Sequence, residues 1–134
     1  AEFIASKQGV PGKIDEDLRE LFRRVLFNVA VANRDDHLRN HGFIREAGGW
    51  RLAPAYDLNP STKKDAHVLA LDDASAEPDL DTVLHTADFY KVTPQQAQED
   101  LARLRQVLGN WQNKAKQLGL SAEDRAELEA CFLV

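Results

Sequence analysis

Apolar residues recur at helical spacing close to the start of the chain. From Leu18 onward they stand three or four positions apart, which places them on one buried face of a helix. This face comprises Leu18, Leu21, Phe22, Val25, Leu26 and Val29. We expect the helix to begin at Asp15, which can cap it, and to end near Ala32 or Asn33. The charged positions between the apolar ones are expected to face solvent: Glu16, Glu20, Arg23 and Arg24.

Two short extended segments follow the helix after a polar stretch. Residues 41–46 and 50–54 flank the pair Gly48-Gly49, and this pattern predicts a β-hairpin. Turn residues return at 55–61, where Pro60 disfavours a helix.

Three further segments are irregular or short. Residues 1–14 contain glycine and proline with little periodicity, and we interpret them as a loop that enters the domain. A short strand is expected at 67–71, followed by an acidic loop to Pro78. A helix is expected over roughly 80–89, from its spaced leucines and valine.

The last third of the chain predicts two capped helices. Thr93 to Gln96 match a capping box with proline at the first helical position, and they open a long helix that runs to about Gln117. The apolar face of that helix comprises Leu101, Leu104, Val107, Leu108 and Trp111. A second box at Ser121 to Asp124 starts a closing helix. Residues 1–134 are therefore predicted to form a single, mainly α domain with a small β-hairpin.

Composition and charge narrow the function classes. The net charge of -5 argues against a general nucleic-acid surface, which needs clustered Lys and Arg. The apolar runs are much shorter than the roughly 20 residues of a membrane span, and no segment has the order of a signal peptide. The single cysteine, Cys131, cannot form an internal disulfide and is expected to be buried in the last helix, which fits a cytoplasmic protein.

Candidate chemistry lies in residues 34–40, RDDHLRN. Asp35 and Asn40 follow Arg34 with the R-D-x-x-x-x-N spacing of a protein-kinase catalytic loop. Phosphoryl transfer needs a carboxylate that accepts the proton of the attacking hydroxyl and oxygen ligands for magnesium, and one tight loop can supply both. Asp57 follows Asn40 by 17 positions, and the hairpin between them is expected to return it beside Asn40 as a second magnesium ligand.

Two longer segments, LFNVAVANRDDHLRNHGFI and WRLAPAYDLNPS, resemble the C-terminal domain of the HipA family of serine/threonine toxin kinases. The family's D-x-H-x-x-N loop matches residues 35–40, and its P-x-Y-D segment matches residues 54–57. The resemblance implies Asp35 as catalytic base, with Asn40 and Asp57 binding the Mg²⁺ of ATP. It also implies that His37 orients the site. The motif-bearing match covers roughly residues 9–61.

The resemblance implies a two-lobed, kinase-like protein in which a smaller N-terminal portion covers the ATP phosphates. Residues 8–12 do not match a phosphate-binding glycine loop, and no strand precedes Asp15 that could carry an ATP-pairing lysine. Because the chain also lacks methionine and starts at Ala1, we expect it to be a fragment with little or no kinase activity alone.

The partners that the resemblance implies are proteins. Family members phosphorylate a protein serine, with a translation factor, an aminoacyl-tRNA synthetase, as the known target and autophosphorylation as a brake. A small DNA-binding antitoxin typically neutralises them. No direct nucleic-acid or membrane binding by this chain is expected.

Other interpretations stay open beside the kinase hypothesis. A small-molecule phosphotransferase of the aminoglycoside type uses Asp, Asn and a later Asp at similar spacing, and the acidic stretch 72–81 leaves that alternative open. A second alternative is not an enzyme: the chain could be a kinase-like module that only binds another protein. Within the loop, only Asp35 has the right spacing to His37 and Asn40, so Asp36 is expected to be an exposed neighbour.

Overall fold

A computed structural model describes residues 1–6, 8–61 and 79–133. The helices are α1 (Glu2–Ala5), α2 (Ile14–Ala30), α3 (Leu80–His85), α4 (Pro94–Leu108), α5 (Trp111–Gln117) and α6 (Ala122–Glu129). The strands are β1 (Phe43–Glu46) and β2 (Gly49–Leu52), and 3₁₀ turns cover Leu38–Asn40 and Ala87–Tyr90. The mainly α fold class with a hairpin is confirmed over these residues. The strand expected at 67–71 and the acidic loop to Pro78 lie outside them.

Helix α2 is the central element, and its predicted apolar face is buried. All six predicted positions are between 0% and 8% exposed. The helix ends at Ala30, earlier than predicted, because Ala32 adopts a left-handed backbone with φ 48°. Arg24 is 7% exposed, so the expectation that it faces solvent was wrong. The reason is that α4 and residues 55–58 lie beside this part of α2, so more of the helix is covered than one apolar stripe.

The hairpin pairs β1 with β2 in antiparallel register, with Arg45 opposite Trp50. Gly48 has a φ of 92° in the turn, a conformation that favours glycine. The buried carboxylate of Asp17 on α2 accepts hydrogen bonds from Arg51 Nε at 2.9 Å and from the Leu52 backbone N–H at 3.1 Å. These bonds fix the hairpin on α2, and so determine where the chain continues after residue 52.

The N-terminal segment forms structure where a loop was expected. Helix α1 buries Ile4 against Leu18 and Leu21 of α2, so the loop interpretation was wrong for Glu2–Ala5. Residues 8–10 then run beside β2, where Trp50 N–H donates to Gln8 O at 2.7 Å. The ring of Phe3 also contacts that of Phe43 in β1, with centroids 4.7 Å apart, so apolar contacts to both α2 and the hairpin hold this short helix.

The helices of the C-terminal half are shorter than predicted. The helix expected over 80–89 ends at His85 and continues as a 3₁₀ turn. The Thr93–Gln96 capping box is present, but the long helix breaks after Leu108, and a new helix starts at Trp111. Val107, expected on the apolar face, is 64% exposed because it points about 100° away from Leu108 around the helix axis.

The end of the chain packs against the end of α2. The capping box of Ser121 and Asp124 is present, and Cys131 lies buried just after α6 rather than within it. The Leu133 backbone N–H donates to Ala30 O at 2.7 Å, and Cys131 Sγ donates to Ser61 O at 3.4 Å. Burial raises the pKa of the Cys131 thiol. Within the described residues, none of the helices is long and apolar enough to cross a membrane.

An ion cluster around a buried aspartate joins α2 to α4. Asp100 is 6% exposed and accepts hydrogen bonds from Arg19 Nε and Arg23 Nε, each at 2.9 Å. Burial alone would raise the pKa of the Asp100 carboxyl, but the hydrogen bonds and charges of both arginines hold that pKa below its ordinary value. The ionised carboxylate therefore stabilises the folded state.

This cluster predicts a pH dependence of stability. The contribution of Asp100 is complete above its unfolded-state pKa of about 3.9 and is lost as the pH falls from there through the folded-state pKa. We expect the urea-unfolding free energy of the natural chain to fall more steeply below about pH 4 than that of an Asp100→Asn variant. If the unfolding free energies of the two proteins fell equally with pH, Asp100 would contribute nothing to the pH dependence of stability.

Candidate functional site

The segment 34–40 leaves α2 as a tight, hydrogen-bonded loop. The Asn40 N–H donates to His37 O at 2.8 Å and closes the 3₁₀ turn. Asn40 is 8% exposed, and its side-chain Nδ2 donates to Asp35 O at 3.0 Å. The amide oxygen is the atom of this side chain that remains for a cation.

Asp35 and Asp36 occupy different environments. The Asp35 side chain is 75% exposed, and its Oδ1 lies 4.0 Å from His37 Nε2. Asp36 is 5% exposed, and its Oδ1 accepts a hydrogen bond from His41 Nε2 at 2.9 Å. Burial raises the pKa of Tyr90, and the charge of Asp36 also contributes to that rise. Because Asp36 is buried and its carboxylate links the two ends of the loop through His41, the expectation that it is an exposed neighbour was wrong.

Asp57 follows β2 in a constrained backbone conformation. Its φ is 58°, in the left-handed region that aspartate and asparagine tolerate better than most residues. Asn33 Nδ2 donates to Asp57 O at 3.2 Å, and Asn59 Nδ2 donates to Asp57 Oδ1 at 2.8 Å. The Asp57 carboxylate is exposed while its backbone is held in place.

Tyr56 connects the Asp57 segment to the loop. Its hydroxyl donates to Arg39 O at 2.6 Å, one residue before Asn40. A side-chain carbon at Gly42 would stand 3.3 Å from the Tyr56 hydroxyl oxygen, so glycine lets the tyrosine approach closely. The Ala53 N–H also donates to Gly42 O at 2.9 Å. The hairpin thus returns the residues around Asp57 to the loop.

Sequence reasoning missed the residues that support the site. Asn28 and Asn33 are each 2% exposed, and Asn33 Nδ2 donates to Asn28 Oδ1 at 3.1 Å as well as to Asp57. A polar residue at position 28, inside an apolar helical run, was the available signal. The bond from His41 to Asp36 had no signal in the spacing.

The residues expected to hold magnesium are one amide and one carboxylate. Mg²⁺ prefers oxygen ligands and takes only one or two from protein, so the oxygens of Asn40 and Asp57 fit it chemically. Among the described residues, no group of three or more His, Cys, Asp and Glu side chains could hold a metal ion. His37 Nδ1 is buried with no partner in the described part of the chain, while its other ring nitrogen, Nε2, is the one that lies 4.0 Å from Asp35 Oδ1.

Comparison with known proteins places the chain in a family. The family model for the HipA-like C-terminal domain matches residues 2–123, well beyond the motif-bearing residues 9–61. No curated protein and no solved structure matches the chain. The matched range includes α1 to α5, the hairpin and both polar segments described above. The resemblance inferred from the motifs is thus confirmed, and the chain belongs to the family of HipA-like C-terminal domains.

Proposed function

We propose that the chain is the catalytic lobe of an ATP- and Mg²⁺-dependent serine/threonine protein kinase of the HipA toxin type. The observation that carries this proposal is the hydrogen bond from Tyr56 to Arg39 O, 2.6 Å long. This bond holds the P-x-Y-D segment against the D-x-H-x-x-N loop, so that the three polar positions expected of a kinase site belong to adjoining backbone segments.

Asp35 is the proposed catalytic base. Its side chain is 75% exposed, as a carboxylate must be if it is to meet a hydroxyl on a protein substrate. The Asn40 bond to Asp35 O fixes the backbone that carries this carboxylate. Accepting the proton of the attacking hydroxyl is the role that phosphoryl transfer requires of such a group. His37, 4.0 Å from Asp35, is the proposed orienting residue.

Asn40 and Asp57 are the proposed ligands of the ATP-bound metal. Bound magnesium neutralises charge that develops on the transferred phosphoryl group. The chain's own contribution is geometric. Asn40 is fixed through its amide nitrogen, and Asp57 is fixed through its backbone by Asn33.

The rest of the proposal concerns the longer protein. We propose a two-lobed, kinase-like arrangement in which a separate N-terminal portion covers the phosphates, so that this lobe alone has little or no activity. A protein serine or threonine is the proposed acceptor, and a small DNA-binding antitoxin is the proposed regulator.

Magnesium-dependent nucleotide binding tests this proposal against a non-catalytic binding module. We expect calorimetric titration of the full-length protein with ADP to show binding that needs Mg²⁺. An Asp57→Asn variant should weaken this binding by about tenfold or more. Mutating a residue that only orients a metal ligand already lowers metal affinity or activity by about 10–100-fold, and Asp57 is proposed to bind the metal directly. Asparagine tolerates the left-handed backbone at this position, so the fold should be retained.

An Asp88→Asn variant is the matched control, since Asp88 is exposed on the turn Ala87–Tyr90. Binding that is independent of Mg²⁺, or equally strong in the Asp57 and Asp88 variants, would contradict the proposed metal site and favour the binding module.

A further inference from the structure

A cavity of about 360 Å³ lies between α2, α4 and residues 55–58. Its walls are mostly apolar, with Leu26 and Phe27 from α2 and Leu104 and Val107 from α4. Three arginines also line it: Arg23, Arg24 and Arg103. Its size is at the lower end of the range of pockets for small ligands, about 300–1,000 Å³.

Arg24 is the unusual member of this lining. Its side chain is 7% exposed, yet Nε makes its one hydrogen bond within the described residues, to Glu20 Oε1 at 3.0 Å. Nη1 is buried without a partner there. A buried cation normally has its donors satisfied, because an unmet N–H in a low-dielectric site is costly. Nη2 also makes no hydrogen bond within the described residues and, unlike Nη1, it is not buried, so it is the nitrogen that an occupant of the cavity can reach.

The charges around the cavity favour an anion. Asp100 also lines it, but that carboxylate is already bonded to Arg19 and Arg23. Glu20 is the one acid bonded to Arg24 among the described residues. Arg103 is exposed and adds a second cation to the lining. An occupant with a negative group and an apolar body matches both the unsatisfied donors and the walls.

We propose that this cavity binds a small organic acid, with its carboxylate on Arg24 and an aliphatic body against Leu26, Leu104 and Val107. The site is separate from the loop at 34–40 and does not depend on kinase activity. Ala55 and Leu58, which flank Tyr56 and Asp57 in sequence, form its remaining wall.

Titration of this chain with 4-methylpentanoate, followed by ligand-observed NMR, tests the site. A fragment of this size that fits should bind with a dissociation constant of about 1–10 mM. The neutral 4-methylpentanamide should bind about tenfold or more weakly, since it cannot form a charge-assisted hydrogen bond with the guanidinium. Acetate should also bind more weakly, because it lacks the apolar body.

Variants at two positions test the assignment. Arg24→Met removes the cation and keeps an unbranched side chain. Val107→Glu places a repelling carboxylate at a residue that is 64% exposed, so it should not disturb folding. Each should weaken binding of 4-methylpentanoate by about tenfold. Leu118→Glu, 70% exposed and outside the cavity, should leave binding unchanged.

Three results would overturn the proposal. The first is that the acid shows no binding up to about 20 mM, which is above the expected range. The second is equal binding of the acid and the amide. The third is unchanged binding of the acid in the folded Val107→Glu variant. The last remains decisive even if Arg24→Met fails to fold.

Discussion

Replacing Phe22 by alanine is expected to lower the unfolding free energy by about 3–5 kcal/mol. Phe22 is 0% exposed at the middle of α2 and lies in the largest apolar cluster, with residues of α2, α3 and α4. Its ring centroid is 5.6 Å from that of Tyr90. Deleting the ring removes buried apolar surface and leaves a cavity that the surrounding structure closes only in part, so both the lost burial and the cavity destabilise the fold.

Phe89→Ala is the matched control for this prediction. Phe89 is 74% exposed and precedes Tyr90, so it tests the loss of a phenyl ring in the same region without core burial. We expect urea denaturation to show a change within about 0.5 kcal/mol for this variant. Equal effects of the two substitutions would contradict the placement of α2 at the centre of the fold.

The buried face of α2 was predictable because apolar spacing reports directly which side of a helix is covered. The residue at which α2 ends and the burial of its charged positions could not be predicted from that spacing. The left-handed turn at Ala32 ends the helix two or three residues earlier than expected, although alanine carries no signal for that conformation. Arg24 is buried because other elements pack over a charged position, a tertiary effect that periodicity does not contain.

The break in the long C-terminal helix was also not predictable from the local pattern. Gly109 and Asn110 interrupt the pattern after Leu108, but a glycine within a helical run also occurs in unbroken helices at a cost of about 1 kcal/mol. The capping boxes at Thr93 and Ser121 were predictable, since their bonds lie within four consecutive residues.

For the candidate site as well, features set by local sequence could be predicted, and contacts between distant residues could not. Spacing along the chain selected Asp35, Asn40 and Asp57 as candidates, and the family match covers the segments that carry them without assigning roles to single residues. The bond from Asn33 to Asp57 joins residues 24 positions apart, and that from Tyr56 to Arg39 joins residues 17 apart. Such contacts depend on how the hairpin packs on α2, which local patterns do not specify.

The buried pair of Asp36 and His41 shows where motif reasoning was misleading. Matching the family loop assigns Asp35 and leaves Asp36 without a role. The structure gives Asp36 a supporting one, since its bond to His41 spans the whole 3₁₀ turn that carries Asn40. Two adjacent aspartates thus lie in different environments, Asp35 exposed and Asp36 buried.

The second large effect concerns Asp35, the proposed catalytic base. Asp35→Ala in the full-length protein is expected to reduce phosphate transfer from ATP to a protein acceptor by at least about a hundredfold, the scale of general-base catalysis. The folded state should be little affected, because the Asp35 side chain is exposed and its contact with His37 is 4.0 Å long. Asp88→Ala, another exposed aspartate, is the control for loss of a surface charge.

Phosphate transfer from labelled ATP by the full-length protein, with and without Asp35→Ala, tests the central claim most directly. The account predicts Mg²⁺-dependent label on the protein or on a co-purified target, retained in Asp88→Ala and lost in a folded Asp35→Ala variant. Transfer that persists undiminished in the Asp35 variant, or none at all by the folded natural protein with Mg²⁺ present, would contradict it.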